Sequence, residues 1–294
     1  MISTALKSFW STLRSFLSLI RFILSLAVGF SAMAGYICKN HFLNSQSWFI
    51  FFGVFLLAGG ASAFNQIQEK EYDARMKRTM KRPIPAGLIS TSSAIIISLL
   101  LIVSGLFVLV YFGNQNSMVV GLFCVVWYNF IYTYLKRKTA FALFVGIFTG
   151  IGPIFIGWLA AGGGWFDSEC LLIATFMSIW QIPHFLLLLL RYEDDYRNAG
   201  FPLLTDDHSI HFVKAIILLS VIFVSGIAFM LVQFGVVNSV LLQLLTISIS
   251  LLMMAIIIPG LIRKVSSYRV LLMAVNIYMM LIMLCILADS IRFS

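Results

Sequence analysis

Apolar stretches alternate with short polar ones along the whole chain. Nine stretches hold about 20 largely apolar residues each, the length that an α-helix needs to cross a bilayer, and none of them contains an acidic residue. They lie near residues 16–37, 47–66, 94–112, 117–135, 140–161, 170–190, 211–232, 238–260 and 270–288. The pattern predicts an all-α, polytopic membrane protein with nine transmembrane helices.

The composition excludes a water-soluble globular protein. Of the 294 residues, 61% are hydrophobic and only 11% are charged, which leaves too few polar side chains to cover a surface in water. The four cysteines lack metal-ligand spacing and indicate neither a zinc site nor a disulfide framework. We interpret residues 1–294 as a single membrane domain.

Lysine and arginine residues are concentrated at one predicted membrane face. With the N-terminus in the cytoplasm, eighteen of the 20 basic residues lie inside, and only Lys39 and Arg292 lie outside. Because cytoplasmic loops retain positive charge, the pattern predicts a cytoplasmic N-terminus and an external C-terminus. Topology and contact with the lipid bilayer then explain the net charge of +9, and nothing supports nucleic-acid binding.

The N-terminal segment is predicted to lie along the membrane surface, at about residues 1–15. Its basic and apolar residues fall on opposite sides of a helix, the basic ones being Lys7, Arg14 and Arg21 and the apolar ones Leu6, Trp10, Leu13, Leu17 and Ile20. A mitochondrial presequence has a similar composition, but no spacer separates this segment from the first span. We therefore favour a bacterial inner membrane.

Most of the acidic residues lie in two polar loops, at residues 65–87 and 191–202, which follow the second and sixth spans on the same face. In the first loop, the spacing i, i+4, i+8 puts Asn65, Glu69 and Asp73 on one face of a helix. Mg²⁺ takes one or two carboxylates together with waters and substrate phosphates. The spacing favours a Mg²⁺-diphosphate site, although acids that merely balance six basic residues in a solvated loop are the alternative.

The same loop carries a family resemblance. Residues 65–87 resemble the first aspartate-rich motif of the UbiA superfamily of membrane prenyltransferases, and its continuation after Asp73 resembles the branch that farnesylates protohaem. Residues 136–139, 152–158 and 180–185 resemble that branch as well, as do Asp195-Tyr196 and Ala199-Gly200. The likeness extends over roughly residues 60–205.

The resemblance implies nine helices around a central cavity capped by cytoplasmic loops, and Mg²⁺-assisted transfer of a farnesyl group from farnesyl diphosphate to a vinyl group of protohaem. Terminal-oxidase assembly partners stay unspecified. The implied metal ligands are Asn65, Glu69, Asp73 and Asp195. Two positions depart from the superfamily pattern: Glu69 stands where the first Asp is usual, and Arg191 replaces the first Asp of the second motif.

Further roles follow from the same chemistry. Ionisation of a prenyl diphosphate puts negative charge on the leaving group, so cations are needed there. Catalytic roles are expected for Asp73, Asp195, Arg191 and His184. Substrate contacts are expected from Arg75, Arg78, Arg82, Lys136, Arg137, Gln181, His184 and Tyr196.

The sixth span carries a polar stripe, since Gln181, His184, Arg191 and Asp195 share one helical face. Such a stripe should face the protein interior rather than lipid. Two roles stay open for His184: an interhelical hydrogen bond, helped by the carbonyl that Pro183 frees, or contact with haem, whose iron His commonly ligates.

Two other functions are weighed. An aromatic quinone precursor of the 4-hydroxybenzoate or naphthoate type would use the same donor chemistry with another acceptor. A secondary transporter would place its polar groups near the bilayer midplane, whereas here they gather at one membrane face. The sequence favours the prenyltransferase.

Overall fold

The computed structural model describes residues 2–262 and 267–291, with side chains from Phe9 onward. Parts of the basic and amphipathic patterns therefore lie outside the described residues or side chains: Leu6, Lys7, Arg263, Lys264 and Arg292. The remainder of both patterns can be compared with the structure.

Thirteen helices follow one another along the described chain. They are α1 (Ile2–Leu19), α2 (Phe22–Asn40), α3 (Ser45–Gln68), α4 (Lys70–Arg75), α5 (Thr91–Gly113), α6 (Gln115–Leu135), α7 (Ala142–Ala160), α8 (Ser168–Arg191), α9 (Glu193–Ala199), α10 (Leu204–Asp207), α11 (Ile210–Gln233), α12 (Val240–Ile262) and α13 (Tyr268–Ser290). Nine helices in this part of the chain are long and apolar enough to span a membrane. The predicted number of spans is confirmed.

Local signals explain where several of these helices begin. Asn44, Ser90, Asn114 and Ser209 each precede a transmembrane helix and accept a hydrogen bond from the backbone N–H three residues later. Such caps satisfy amide groups that have no partner within the helix. The short polar connections therefore fix the helix ends.

Three boundaries differ from the sequence-based prediction. The first span begins at Phe22 rather than near residue 16, because Arg21 adopts left-handed backbone angles (φ 46°, ψ 55°) that separate α1 from α2. Both predicted polar loops are partly helical, since α4 and α9 carry acidic residues in their first turns, where the helix dipole favours them. Gly200 then ends α9 at φ 82°, an angle at which glycine has no steric penalty.

The transmembrane helices form a closed series of neighbours in the order α2, α3, α5, α6, α7, α8, α11, α12, α13 and back to α2, and α2 also packs directly on α7. At this seam a Cβ on Gly157 would meet the backbone of Ala32, and one on Gly35 would meet that of Ile154. The two helices therefore touch backbone to backbone, which a side chain at either glycine would prevent.

The seam separates two apolar cores. One core joins residues of α2 and α7 to α3, α5 and α6, and the other joins different residues of α2 and α7 to α8, α11, α12 and α13. Ala32 belongs to the first core, whereas Trp158 belongs to the second. The bundle therefore has two apolar cores that meet where α2 packs on α7.

The two ends of the described chain lie at opposite ends of the bundle. His41, after α2, has Nδ1 3.2 Å from the carbonyl oxygen of Ser290 at the end of α13. At the other end of α2, Arg21 reaches the end of α3. This arrangement agrees with nine crossings, while the cytoplasmic side stays a prediction.

Candidate active site

The three polar residues of the first motif remain aligned although the helix is interrupted. Asn65 lies in the last turn of α3, Glu69 lies between α3 and α4, and Asp73 lies in α4. The backbone N–H of Glu69 donates to Asn65 (2.9 Å) and that of Asp73 donates to Glu69 (2.8 Å), which carries the helical spacing across the break. All three residues are buried, with 0%, 4% and 1% exposure.

Glu69 forms an ion pair with Lys136, which follows α6. Lys136 Nζ lies 2.5 Å from Glu69 Oε1, so the ammonium directly contacts this carboxylate oxygen. Burial alone would lower the pKa of Lys136, but attraction by Glu69 outweighs it and the pKa is raised. Lys136 therefore stays a cation beside the Glu69 carboxylate.

Asp73 forms the second ion pair. Nη1 of Arg82 lies 2.7 Å from both carboxylate oxygens, and Thr79 Oγ1 donates to the Asp73 carbonyl at 3.0 Å. Burial and the nearby Arg21 lower the pKa of Arg82, against the attraction of Asp73. An arginine nevertheless stays charged in proteins, so two buried carboxylates each have a cation beside them.

Arg21 belongs to the same cluster, which sequence reasoning missed by assigning it to the membrane surface. Its Nη2 donates to Asn65 Oδ1 at 3.0 Å, and its Nη1 donates to the Tyr128 hydroxyl at 3.4 Å. Asn65 Nδ2 in turn donates to Thr133 Oγ1 at 2.9 Å. Burial opposes the charge of Arg21, but Tyr128, Glu69 and Asp73 raise its pKa. The sequence did offer a signal: Arg21 and Asn65 lie near the ends of the first and second predicted spans that face the same side of the membrane.

Several buried polar atoms around this cluster have no hydrogen-bond partner within the described residues. They are Arg21 Nε, Gln68 Oε1, Asn129 Oδ1 and Arg137 Nε. Hydrogen bonds from side chain to backbone connect three of these residues: Gln68 Nε2 donates to the Asn129 backbone carbonyl (3.0 Å), and Arg137 Nη2 donates to the Gln68 backbone carbonyl (2.6 Å). Buried polar groups are usually satisfied, so this concentration indicates a binding site for a polar ligand.

The second motif contacts the first through Asp195. Its two carboxylate oxygens accept from the backbone N–H groups of Lys77 (3.2 Å) and Arg78 (3.1 Å). Arg78 also lies over the rings of Tyr192 and Tyr196, 4.7 and 5.6 Å from their centroids. The two polar loops thus meet directly, although Asp195 turns towards backbone amides.

No three Asp, Glu, His or Cys side chains in the described part of the chain are grouped as a metal site. Asn65, Glu69 and Asp73 lie together, whereas the oxygens of Asp195 are occupied at the contact between the loops. A shared coordination shell of all four residues stays a prediction.

The polar stripe of α8 makes mainly interhelical contacts. Gln181 is buried against Gly150, and its Nε2 donates to the carbonyls of Met177 (3.2 Å) and Ile147 (3.4 Å). His184 Nδ1 lies 2.7 Å from Asn276 Oδ1 on α13. The first of the two roles open for His184 is therefore present, and because Nδ1 must carry the shared proton, Nε2 keeps a lone pair.

The remaining predicted residues lie around the rim of the cluster. Arg137 lies 5.0 Å from the Tyr72 ring centroid, and Arg191 lies 4.7 Å from that of Tyr192. Arg75 is exposed. Within the described residues, Asp73 and Glu69 pair with Arg82 and Lys136 rather than with these three cations.

A family model described as the UbiA prenyltransferase family matches residues 25–277. The chain belongs to this family. Family membership decides between the enzyme and transporter interpretations, and this UbiA protein is a prenyltransferase.

Curated relatives of this UbiA prenyltransferase carry one common name. A protoheme IX farnesyltransferase from Geobacter sulfurreducens is 40% identical over 192 residues, which is 65% of this chain and 71% of the relative. One from Nitratidesulfovibrio vulgaris strain DP4 is 41% identical over 191 residues, 63% of this chain and 64% of the relative. The chain thus spans about two thirds of the length of these relatives.

Solved structures share the UbiA fold over nearly the whole chain. A digeranylgeranylglyceryl phosphate synthase has a TM-score of 0.73 at 19% identity, covering 96% of this chain and 99% of that one. A UbiA homologue from Archaeoglobus fulgidus bound to DMAPP and Mg²⁺ has a TM-score of 0.66 at 13% identity, covering 94% and 99%. The predicted all-α fold is confirmed.

Proposed function

We propose that this UbiA prenyltransferase transfers a farnesyl group from farnesyl diphosphate to a vinyl group of protohaem IX, with Mg²⁺ as cofactor, to give a hydroxyethylfarnesyl haem (haem O). The names of the curated relatives support the acceptor and the donor. The observation that carries the proposal is the pair of buried carboxylates, Glu69 and Asp73, with a cation beside each and unsatisfied polar atoms around them.

The residues at this cluster suit Mg²⁺. Asn65, Glu69 and Asp73 offer oxygen donors, which a hard cation prefers, and all three residues are buried. These three residues would hold the ion, with Asp195 as the contribution of the second motif. Bound Mg²⁺ supplies a Lewis acid that neutralises charge on the diphosphate oxygens, in keeping with the Mg²⁺ and DMAPP in the Archaeoglobus homologue.

The basic residues of the chain would hold the diphosphate. Arg21, Arg82 and Lys136 lie at the buried carboxylates, and Arg75, Arg78 and Arg137 lie farther out in the first loop and after α6. As the bond between C1 and oxygen breaks, negative charge grows on the leaving group. Cations held in place by existing ion pairs stabilise that charge without further reorganisation.

The acceptor step requires a new carbon–carbon bond. A vinyl carbon of protohaem attacks farnesyl C1 as the diphosphate departs, and water then adds to the resulting carbocation and loses a proton. His184 would orient the haem through Nε2, with Gln181, Arg191 and Tyr196 along the same side. The rings of Tyr132 and Phe201, 5.4 and 5.8 Å from Lys136 Nζ, offer π density near the forming cation.

We infer further that the protein lies in a bacterial inner membrane with its polar end in the cytoplasm. The positive charge at that end supports the orientation. Both substrates would then bind from the cytoplasmic half, and a terminal oxidase would receive the product.

The test incubates membranes with Mg²⁺, farnesyl diphosphate and protohaem and identifies extracted haems by mass. Wild type should yield a haem heavier by one farnesyl group and one hydroxyl group. Asp73→Asn and Asp195→Asn should yield none, while Asp194→Asn, an exposed neighbour, should resemble wild type. Normal product from both site variants would end the metal-site argument, and prenylation of 4-hydroxybenzoate or a naphthoate instead of haem would move the protein to quinone synthesis.

A further inference from the structure

A groove of about 430 Å³ lies between α1 and the segment that follows α4. Arg14, Ser11 and Ser15 line it from α1, and Lys81 lines it from the opposite wall. It is separate from the buried carboxylates of the candidate active site. The proposed function assigns no ligand to it.

The charge of the groove selects an anion. Arg14 and Lys81 are both exposed, and no acidic residue is among the residues that line the groove. The hydroxyls of Ser11 and Ser15, one helical turn apart, add hydrogen-bond donors to the same groove. Two cations and two hydroxyls suit the oxygens of a phosphate group.

The apolar rim of the groove favours a phospholipid over free phosphate as the ligand. Trp10 is 58% exposed and Leu88 is 61% exposed, one on each wall. Trp favours the interface between headgroups and acyl chains, and α1 lies at the start of the first span. A free phosphate would gain nothing from these apolar surfaces, whereas a phospholipid would bury them.

The walls of the groove are held by the protein itself. Gln66 Nε2 donates to the carbonyls of Ser18 (3.0 Å) and Leu19 (2.7 Å) at the end of α1. Leu19 also packs in one buried cluster with Ile84, which lies between Lys81 and Leu88. Both walls are therefore fixed relative to each other, and the groove is a built feature of the fold.

We propose that this groove binds the headgroup phosphate of an anionic phospholipid. Arg14 and Lys81 contact the phosphate, Ser11 and Ser15 donate to its oxygens, and the acyl chains lie along Trp10 and Leu88. Occupation would also steady the end of α1, which Gln66 connects to the first motif.

The experiment measures lipid binding to the purified full chain in detergent by native mass spectrometry, with dioleoylphosphatidylglycerol and dioleoylphosphatidylcholine as probes. Wild type should prefer the anionic lipid. Each basic residue near a membrane surface is worth roughly a fivefold change in affinity, so Arg14→Gln with Lys81→Gln should weaken phosphatidylglycerol binding about 25-fold and leave phosphatidylcholine binding unchanged.

The matched control is Lys70→Gln with Arg269→Gln, which removes the same charge from exposed positions at the same end of the bundle. It should change binding less than the groove variant does, because neither residue lines the groove. If both double variants lost the same affinity for phosphatidylglycerol, diffuse electrostatic attraction would replace the proposed site. If Arg14→Gln with Lys81→Gln lost no affinity, the proposal would be wrong. Displacement of phosphatidylglycerol by millimolar inorganic phosphate would also overturn it, because the source would then be free phosphate.

The single variants Arg14→Gln and Lys81→Gln keep the test decisive if the double variant does not fold. Each should weaken binding about fivefold. Thermal unfolding without added lipid checks that each variant retains the fold.

Discussion

Arg21 Nη2 donates a 3.0 Å hydrogen bond to Asn65 Oδ1, which joins the break between α1 and α2 to the first motif. Arg21→Gln removes this charge-assisted bond, worth about 1.5–3 kcal/mol. We expect kcat/KM for farnesyl transfer to fall about 10- to 100-fold. Arg269→Gln, an exposed basic substitution at the same end, is the control, and equal activity of both variants would contradict the role of Arg21.

Lys136→Gln leaves the buried carboxylate of Glu69 without its cation. The loss of stability should be about 2 kcal/mol, below that of a fully buried pair because Lys136 is 23% exposed. Adding Glu69→Gln should restore thermal stability but not prenyl transfer. Lys138→Gln, an exposed neighbour, should leave both nearly unchanged. A double variant that stays as unstable as Lys136→Gln would refute the ion-pair explanation.

Asn276→Leu removes the partner that fixes the ring of His184. If His184 orients haem, haem prenylation should fall about tenfold, since hydrogen-bond partners of this kind typically contribute 10- to 100-fold, while farnesyl diphosphate affinity stays constant. Comparison of KM for each substrate measures this. Thr175→Val, on an exposed part of α8, is the control. Unchanged haem kinetics in both Asn276→Leu and His184→Ala would show that His184 does not orient the haem.

Asp195→Asn weakens the contact between the two polar loops, because an amide presents one acceptor oxygen to two backbone N–H groups. The segment after α4 should open more often, and trypsin should cleave near Lys77 and Lys81 about tenfold faster, since hydrogen bonds to a charged group contribute about 1.5–3 kcal/mol. Limited proteolysis with Asp194→Asn as the control measures this. Identical cleavage rates would show that the contact does not hold the loops together.

At the other end of the bundle, Asp167 accepts from Gly164 N–H (3.0 Å), Trp158 Nε1 (2.8 Å) and Lys39 Nζ (3.0 Å). These contacts, in that order, lower the pKa of Asp167 to about 2. A lowered folded-state pKa means that the carboxylate stabilises the fold above its ordinary pKa, and that this contribution disappears as pH falls through about 2.

Asp167→Asn should therefore lower the thermal midpoint at neutral pH and flatten its decline in acid. Glu169→Gln, an exposed acid nearby, is the matched control. Thermal unfolding between neutral pH and the acid limit measures the effect. If the thermal midpoints of Asp167→Asn and wild type fell equally as the pH is lowered, other groups would be responsible for the acid sensitivity.

The sequence predicts the membrane helices well because their apolar length is a local property. It also predicts that Asn65, Glu69 and Asp73 share a face, since helical spacing decides this and the backbone bonds continue across Glu69. The ion pairs with Lys136 and Arg82 follow from helix packing and loop folding, which no local pattern specifies. The seven-residue spacing of Lys7, Arg14 and Arg21 predicted that all three lie on one helix at the membrane surface. The left-handed backbone of Arg21 ends that helix, so Arg21 lies elsewhere.

His184 marks another limit. Its position on a polar stripe could be read from the sequence, but the two roles open to it differ only in what lies opposite α8. Asn276 is 92 residues away along the chain, so the contact arises from the packing of α13. The polar groups that lack partners are likewise visible only after folding, because a sequence shows which groups need hydrogen bonds but not which ones obtain them.

The contact between α2 and α7 limits how this protein can open. Gly35 and Gly157 bring the two backbones together, so at these two points no side chain can change rotamer to let one helix slide over the other. The seam should therefore behave as a fixed axis between the cores. A rotation about this axis that separated Asp195 from Lys77 and Arg78 would widen the polar end of the bundle and move the remote end least.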